Sequence, residues 1–190
     1  MGQWKAESAA EGLRAFRPDL EVDVYAEALT AGNAAGLFRK YDLVVDGSDN
    51  FSTKYLCNDA AILSKVPFVH AGALRFGGQI LSVIPGRGPC LRCLLPEIPP
   101  RKDAPNCSEA GILGAAAGVI GSWQAAEAVK ILLEIGDPLS GRLLVIDTLE
   151  ATVTTLSVPR DPNCPACGAS PRIRAPLSPS EYPLERSCAT

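Results

Sequence analysis

Several features are scarce in this sequence of 190 residues, and each scarcity excludes a class of protein. Basic residues do not outnumber acidic ones, and the net charge of -3 argues against a surface for nucleic acid or anionic membranes. No uninterrupted apolar run reaches the ~18 residues that a membrane span requires. The first fourteen residues lack the apolar core of a secretory signal peptide. We therefore expect a cytoplasmic protein with no nucleic-acid or membrane partner.

Histidine is nearly absent, since His70 is the only one, and this bears on the seven cysteines. Four of them form two C-x-x-C pairs, Cys90/Cys93 and Cys164/Cys167. In a chain without an export signal, such pairs favour metal binding over disulfides or free thiols. A catalytic zinc site usually includes histidine and an open position, so four thiolates predict a closed structural zinc site. His70 itself follows a buried strand and is expected in the core or at its rim.

The hydrophobic pattern predicts alternating helices and strands in the first part of the chain. The expected helices cover residues 2–16, 34–39 and 51–64, and the expected strands cover residues 20–29, 42–46 and 67–71. This alternation is typical of a parallel sheet with helices on its faces.

The pattern changes after residue 76. A strand over 77–84 follows a short loop, which predicts an antiparallel pairing. A proline-rich loop over 90–106 comes next, and then a helix over 114–135 that is apolar on most faces and is expected to be buried. Two closing strands are expected over 142–147 and 152–158.

The segment Asp46–Asn50, with the sequence DGSDN, directly follows an expected strand. In open α/β sheets, ligands bind at the carboxyl ends of strands, so Asp49 beside a helix N-terminus could hold Mg²⁺ on nucleotide phosphates. Asp, Ser and Asn are also good helix caps, and simple capping is an equally good explanation. Lys5 could meet phosphates near the start of the first helix, although an isolated lysine is more often solvated.

Seven segments occur in an order that resembles the MoeB/ThiF family, bacterial relatives of ubiquitin-activating enzymes. They are GQWKAESA (2–9), DLVVDGSDN (42–50), VPFVHAGALRFGGQI (66–80), PCLRCLLP (89–96), CSEAGILG (107–114), GVIGSWQAAEAVK (118–130) and CPACG (164–168). The resemblance implies a Rossmann-like α/β fold with a mostly parallel sheet, an antiparallel extension and a four-cysteine zinc site. It assigns residues 1–168 to a partial activating domain and leaves 169–190 as a disordered or weakly ordered tail.

The resemblance also implies an activity. Family members use ATP and Mg²⁺ to adenylate the C-terminal glycine of a small ubiquitin-like sulfur-carrier protein of the MoaD/ThiS type. The carrier carboxylate attacks the α-phosphate and releases pyrophosphate, and a separate sulfur-donor protein then converts the adenylate to a thiocarboxylate. Molybdopterin or thiamine biosynthesis is the expected pathway, and a homodimer is the expected assembly.

Site residues follow from the same resemblance. Asp49 matches the Mg²⁺-binding aspartate and is expected to serve catalysis, with Asn50 beside it in the nucleotide site. Lys5 matches the lysine that contacts phosphate. Cys107 matches a loop cysteine that forms a thioester or persulfide with the carrier in several members, and a small buried residue is the alternative.

The carrier tail is expected to enter through a narrow channel. Arg75 and Gln79, on the expected hairpin, are candidates to line that channel and bind the carrier. The loop over 94–111 is the candidate cover, with a surface loop as the alternative.

The sequence departs from the family in one respect. It contains no G-x-G-x-x-G turn, nor the acidic residue and arginine that accompany it in the family. The first βαβ elements are therefore expected to be missing, and the chain alone is expected to be inactive. Three explanations stay open: a fragment, a degenerate member, or one half of a two-chain enzyme. The alternative function is a non-catalytic, zinc-stabilised module that binds the carrier without binding ATP.

Overall fold

Five helices and five strands form a mixed α/β arrangement in the computed structural model, which describes residues 2–99, 110–175 and 177. The helices are α1 (Lys5–Phe16), α2 (Ala34–Phe38), α3 (Phe51–Ser64), α4 (Leu91–Leu94) and α5 (Gly114–Leu133). The strands are β1 (Val44–Val45), β2 (Phe68–Leu74), β3 (Gly77–Val83), β4 (Arg142–Asp147) and β5 (Thr152–Ser157). The predicted α/β class is confirmed.

The five described strands form one sheet in the order β1-β2-β3-β4-β5. The β1 and β2 strands are parallel, and each later strand is antiparallel to its neighbour. The predicted antiparallel pairing of β3 and the closing pair of strands are confirmed. The expectation of a mostly parallel sheet is wrong for the described residues, because they contain a single parallel pair.

The missing parallel strand is the one predicted over residues 20–29, which form no regular secondary structure. The alternating pattern is typical of a strand, but a strand also needs a neighbouring backbone to bond. In the described structure this segment bonds to side chains instead: Arg14 donates to the Val22 carbonyl (2.6 Å), and Lys40 donates to the Tyr25 hydroxyl (3.2 Å).

Helix α3 covers one face of the sheet and begins at a side-chain cap. The Asn50 Oδ1 accepts a hydrogen bond from the Thr53 N–H (2.8 Å), and the helix ends where Lys65 adopts a left-handed conformation. Helix α3 packs against α2 and β2. The core under it includes Phe68, Leu81 and Leu143.

Helix α5 covers the other face of the sheet, over β2 and β3. One stripe of the helix is buried, and it consists of Ala116, Ile120, Gln124 and Glu127. The rest of its surface is exposed and largely apolar, and includes Val119, Trp123, Val129, Leu132 and Leu133. The expectation that this helix is buried holds for one stripe only, because the described chain packs against it on one side. No helix in the described part of the chain is long and apolar enough to cross a membrane.

The segment after β5 contains Cys164 and Cys167, and the residues that follow them pack in the same core cluster. Ile173 is buried, and its backbone N–H donates to the Pro165 carbonyl (2.9 Å). The packed region therefore reaches at least Ile173, beyond the predicted boundary at residue 168. Most of the predicted tail, residues 176 and 178–190, lies outside the described residues.

Candidate functional site

The loop after β1 is folded around the buried carboxylate of Asp46. The Asp46 Oδ1 accepts hydrogen bonds from the Ser48 backbone N–H (2.8 Å) and hydroxyl (2.6 Å). This tight turn brings Asp49 to the surface just past the carboxyl end of β1, which is the place that the sequence predicted. Asn50 next to it uses its side-chain oxygen to cap α3, so the capping explanation holds for that oxygen.

Lys54 fixes this loop to the sheet, and sequence reasoning missed it. Its ammonium donates to Asp46 Oδ2 (3.0 Å) and to the carbonyls of Ser48 (2.6 Å) and Ala71 (2.5 Å). An ammonium group has three hydrogens to donate, and these three acceptors use them all. Lys54 therefore positions the loop. The available signal was its place on α3, eight residues after Asp46, but that spacing does not reveal burial.

His70 and Lys54 determine the charge of Asp46, and Gln124 holds its backbone. Burial by itself would raise the pKa of Asp46, but the hydrogen bond with His70 and the charge of Lys54 outweigh it and lower that pKa to about 2. His70 Nδ1 lies 3.3 Å from Asp46 Oδ2, and burial lowers the pKa of His70 below its usual value. Gln124 on α5 donates to the Asp46 backbone carbonyl (2.9 Å). The prediction of His70 as a core residue matches this position.

A cavity of about 370 Å³ opens beside this loop. Asp49, Lys54, Gln79 and Asp147 are among the residues that line it. Gly72, Gly77 and Gly78 also line it, so part of its wall is backbone without side chains. A partly backbone-lined cavity beside an exposed carboxylate suits an extended peptide next to a cation-bound phosphate.

The other predicted residues lie elsewhere. Arg75 is exposed at the β2–β3 turn with a positive φ of 52°, and its N–H donates to the Gly111 carbonyl (2.9 Å). Lys5 is the first residue of α1 and is exposed. Neither is among the described residues that line the cavity with Asp49 and Gln79. Cys107 and most of its loop fall within residues 100–109, outside the described residues.

The four paired cysteines converge as predicted. The Sγ atoms of Cys90 and Cys164 lie 3.6 Å apart, and those of Cys93 and Cys167 lie 3.4 Å apart. All four sulfur atoms lie within 4.8 Å of one another. Zinc–sulfur bonds of about 2.3 Å in a tetrahedron place sulfur atoms ~3.8 Å apart. The donor set and its spacing therefore fit a zinc ion, and these residues could hold one.

Electrostatics within this group also favour a bound cation. Hydrogen bonds from the Cys167 and Cys90 thiols lower the pKa of Cys164, while the contact with Cys164 raises the pKa of Cys90. One thiolate is thus stabilised at the expense of its neighbours, because like charges at this distance repel. A divalent metal ion removes that conflict and allows all four sulfurs to ionise.

Comparison with known proteins identifies relatives of this chain. The ThiF family matches residues 1–166. A protein of Thermus thermophilus named sulfur carrier protein adenylyltransferase is 47% identical over 179 residues, which cover 92% of this chain and 66% of that protein. The SAMP-activating enzyme E1 of Haloferax volcanii is 41% identical over 168 residues, which cover 88% and 62%. The adenylyltransferase and sulfurtransferase MOCS3 of Sus scrofa is 44% identical over 173 residues, which cover 90% and 38%.

Solved structures agree on the fold. The microcin C7 biosynthetic enzyme MccB in complex with N-formylated MccA superposes with a TM-score of 0.73 at 18% identity, covering 88% of this chain and 53% of that one. E. coli MccB with succinimide gives a TM-score of 0.71 at 19% identity, covering 88% and 51%. This chain spans between 38% and 66% of the length of the sequence relatives described above. The match over residues 1–166 covers most of the sequence, and the chain therefore belongs to the ThiF family.

Proposed function

We propose that this chain takes part in the ATP-dependent adenylation of the C-terminal glycine of a small ubiquitin-like sulfur-carrier protein. The observation that carries the proposal is the cavity lined by the exposed Asp49 together with the backbone of Gly72, Gly77 and Gly78. The relatives named as sulfur carrier protein adenylyltransferase and SAMP-activating enzyme support the same activity. The carrier would be of the MoaD/ThiS type and would serve molybdopterin or thiamine biosynthesis.

We assign each residue a role in this proposed reaction. The Asp49 carboxylate would hold Mg²⁺, and the Asn50 amide nitrogen beside it could donate to a phosphate oxygen. A bound Mg²⁺ would supply positive charge that offsets the charge of the phosphates. Lys54 and Asp46 keep the loop in place before the nucleotide arrives, so less ordering is required during the reaction. Gln79 would contact the carrier tail beside the glycine backbone that lines the same cavity.

The group of four paired cysteines would hold a structural zinc ion. Cys90 and Cys93 come from the middle of the chain, and Cys164 and Cys167 come from the segment after β5. A metal at this point would join those two segments and leave no ligand position open for chemistry. Elemental analysis of the purified chain is expected to give one zinc per polypeptide.

Carrier binding tests the proposal on the chain as it is. Calorimetry with a ubiquitin-like sulfur carrier should detect binding that is lost when the terminal Gly-Gly is removed from the carrier. Equal binding of the intact and truncated carriers would contradict the proposed tail site. A carrier shortened at its N-terminus by two residues, with its Gly-Gly intact, is the matched control and should bind as the intact carrier does.

Catalysis requires a separate measurement, because the sequence contains no G-x-G-x-x-G turn. Carrier-dependent exchange of pyrophosphate into ATP is expected to stay at background for this chain alone. Exchange should appear when the N-terminal part of the Thermus thermophilus relative is fused before Gly2, and Asp49→Ala should abolish it. Exchange in the fusion that survives Asp49→Ala would remove the role of Asp49.

The alternative function is a zinc-stabilised module that binds the carrier without catalysis. The four converging cysteines and the cavity beside Asp49 are all that this alternative requires. Gly-Gly-dependent carrier binding, combined with no exchange even in the fusion, would select this alternative.

Other parts of the proposal rest on the resemblance alone. Lys5 would contact phosphate, Arg75 would bind the carrier, and Cys107 would capture the activated tail. A separate sulfur-donor protein and a homodimer complete the proposal. Analytical ultracentrifugation measures the assembly directly.

A further inference from the structure

An arginine is buried inside the first cysteine pair. Arg92 lies between Cys90 and Cys93 and is 7% exposed, while its partner Asp59 on α3 is 1% exposed. The guanidinium makes two parallel bonds to this carboxylate: Nε to Oδ1 and Nη2 to Oδ2, each 2.7 Å. Two-point bonds of this kind fix orientation as well as distance. The C-x-x-C turn is therefore held at a set angle to α3.

Asn58, which precedes Asp59 on α3, holds the start of the same C-x-x-C turn. Asn58 is fully buried, and its Oδ1 accepts a hydrogen bond from the Leu91 backbone N–H (2.9 Å). Its amide nitrogen donates to Asp59 Oδ1 (3.0 Å), which joins the two contacts into one network. The backbone directly after Cys90 thus has a fixed position that depends on α3 and on no sulfur atom.

The segment that leaves the turn is held by the same group of side chains. The single hydrogen of the Tyr55 hydroxyl is shared between the Leu95 and Glu97 carbonyls, which lie 2.8 Å and 2.6 Å from the hydroxyl oxygen. The Pro96 carbonyl accepts from Arg92 Nη1 (3.2 Å). The Arg92 guanidinium also lies 4.9 Å from the centre of the Tyr55 ring. Three consecutive carbonyls are therefore bound by two side chains.

We propose that Tyr55, Asn58, Asp59 and Arg92 form a bracket that positions Cys90 and Cys93 for metal binding and controls how readily the metal leaves. The inference rests on the proposed zinc site and adds positioning residues to it. Two ligands that are already positioned rebind a metal ion quickly after one metal–sulfur bond breaks. Groups that orient ligands without touching the metal typically change metal affinity by ~10- to 100-fold when they are altered.

Transfer of zinc from the loaded chain to a chromophoric chelator, such as 4-(2-pyridylazo)resorcinol, tests the bracket under native conditions. Arg92→Lys keeps the charge and loses the two-point bond, and Asp59→Asn keeps the shape and loses the charge. Both are expected to release zinc at least about tenfold faster than the unaltered chain. Arg17→Lys is the control, because the Arg17–Asp19 pair is exposed and lies in the first part of the chain. It should release zinc at the original rate.

Thermal unfolding of each variant, followed by circular dichroism, separates positioning from general loss of structure. Faster release well below the unfolding temperature supports the bracket. Release within twofold of the original rate in folded Arg92→Lys and Asp59→Asn, or release that only parallels unfolding, would overturn it.

Tyr55→Phe keeps the ring and removes only the hydroxyl bonds to the two carbonyls, so it provides a test if the charged variants do not fold. It should release zinc several-fold faster, and an unchanged rate would count against the bracket. Absence of zinc from the unaltered chain would instead refute the metal proposal on which the bracket rests.

Discussion

Helix α1 buries one of its twelve residues, Ala10, and leaves Phe16 90% exposed, whereas α3 buries nine of fourteen. The contrast extends to the surroundings of each helix. Residues 5–43 contain α1, α2 and the segment 20–29, which does not form a strand. Residues 44–173 contain the buried ion pairs Asp46–Lys54 and Asp59–Arg92 and the four converging cysteines. The second region buries charged groups together with their partners, whereas the Arg17–Asp19 pair of the first region is exposed.

The largest expected effect is the loss of the cysteine group. Cys90→Ser should release zinc and lower the free energy of unfolding by about 4 kcal/mol or more, because metal binding is coupled to folding. Zinc content and urea unfolding of the purified variant measure both changes. Cys57→Ala is the matched control, since Cys57 is buried but lies outside the group. It should keep its zinc. A Cys90→Ser variant that retains zinc and full stability would contradict this prediction.

The second-largest effect is expected for the buried ion pair between Lys54 and Asp46. Lys54→Met leaves the Asp46 carboxylate without its ammonium partner in a buried position, which should cost about 3–5 kcal/mol in the free energy of unfolding. Lys40→Met is the control in the first region. Lys40 is exposed there and bonds to the Tyr25 hydroxyl, so its replacement should change stability by less than about 0.5 kcal/mol. Similar losses from both variants would remove the contrast between the two regions.

Stability should also depend on pH through His70. Burial lowers the pKa of His70, so the unfolded chain gains a proton below pH ~6.5 that the folded chain does not. The free energy of unfolding should therefore fall as the pH decreases below that value, by up to about 1.4 kcal/mol per pH unit. The pKa of Asp46 is lowered to about 2 from its usual value of 3.8. Asp46 therefore also lowers the free energy of unfolding as the pH decreases, but only below about pH 3.8.

Urea unfolding between pH 7 and pH 5 measures this dependence. His70→Asn should flatten the profile in that range. Parallel profiles for the variant and the unaltered chain would show that His70 does not carry the effect.

The smallest effect is expected on α1. Phe16→Ala should change the free energy of unfolding by less than about 0.5 kcal/mol, because its ring is exposed and makes few contacts to lose. Phe68→Ala, in the buried strand β2, should cost about 3–5 kcal/mol. A large loss from Phe16→Ala would show that α1 is covered by another part of the protein in solution.

Local pattern and chemistry predicted much of the second region. Helix α3 and strand β4 begin and end where the sequence indicated, and the C-x-x-C spacing identified the four converging cysteines. Local pattern failed where the outcome depends on a neighbour. The segment 20–29 alternates like a strand but pairs with no strand among the described residues. Helix α5 is apolar on most faces but packs against the sheet on one side only.

The charged contacts were missed for a related reason. Asp59 and Arg92 are 33 positions apart, and nothing in the local sequence of either one signals a buried pair. Lys54 resembles any lysine in a helix until the position of Asp46 is known. Pairing over such distances is a property of the folded chain, and a single sequence gives no record of it.

The wide separation of the two cysteine pairs has a consequence for biosynthesis. Cys90 and Cys164 are 74 positions apart, and ribosomes add roughly 5–20 residues per second. The first pair therefore leaves the ribosome ~4–15 s before the second. Helix α3 has already been synthesised during that interval, so Asp59 can bind Arg92 before Cys164 and Cys167 have been translated. The nascent chain thus contains two positioned ligands of an incomplete metal site. Synthesis of Cys164 and Cys167 supplies the other two ligands.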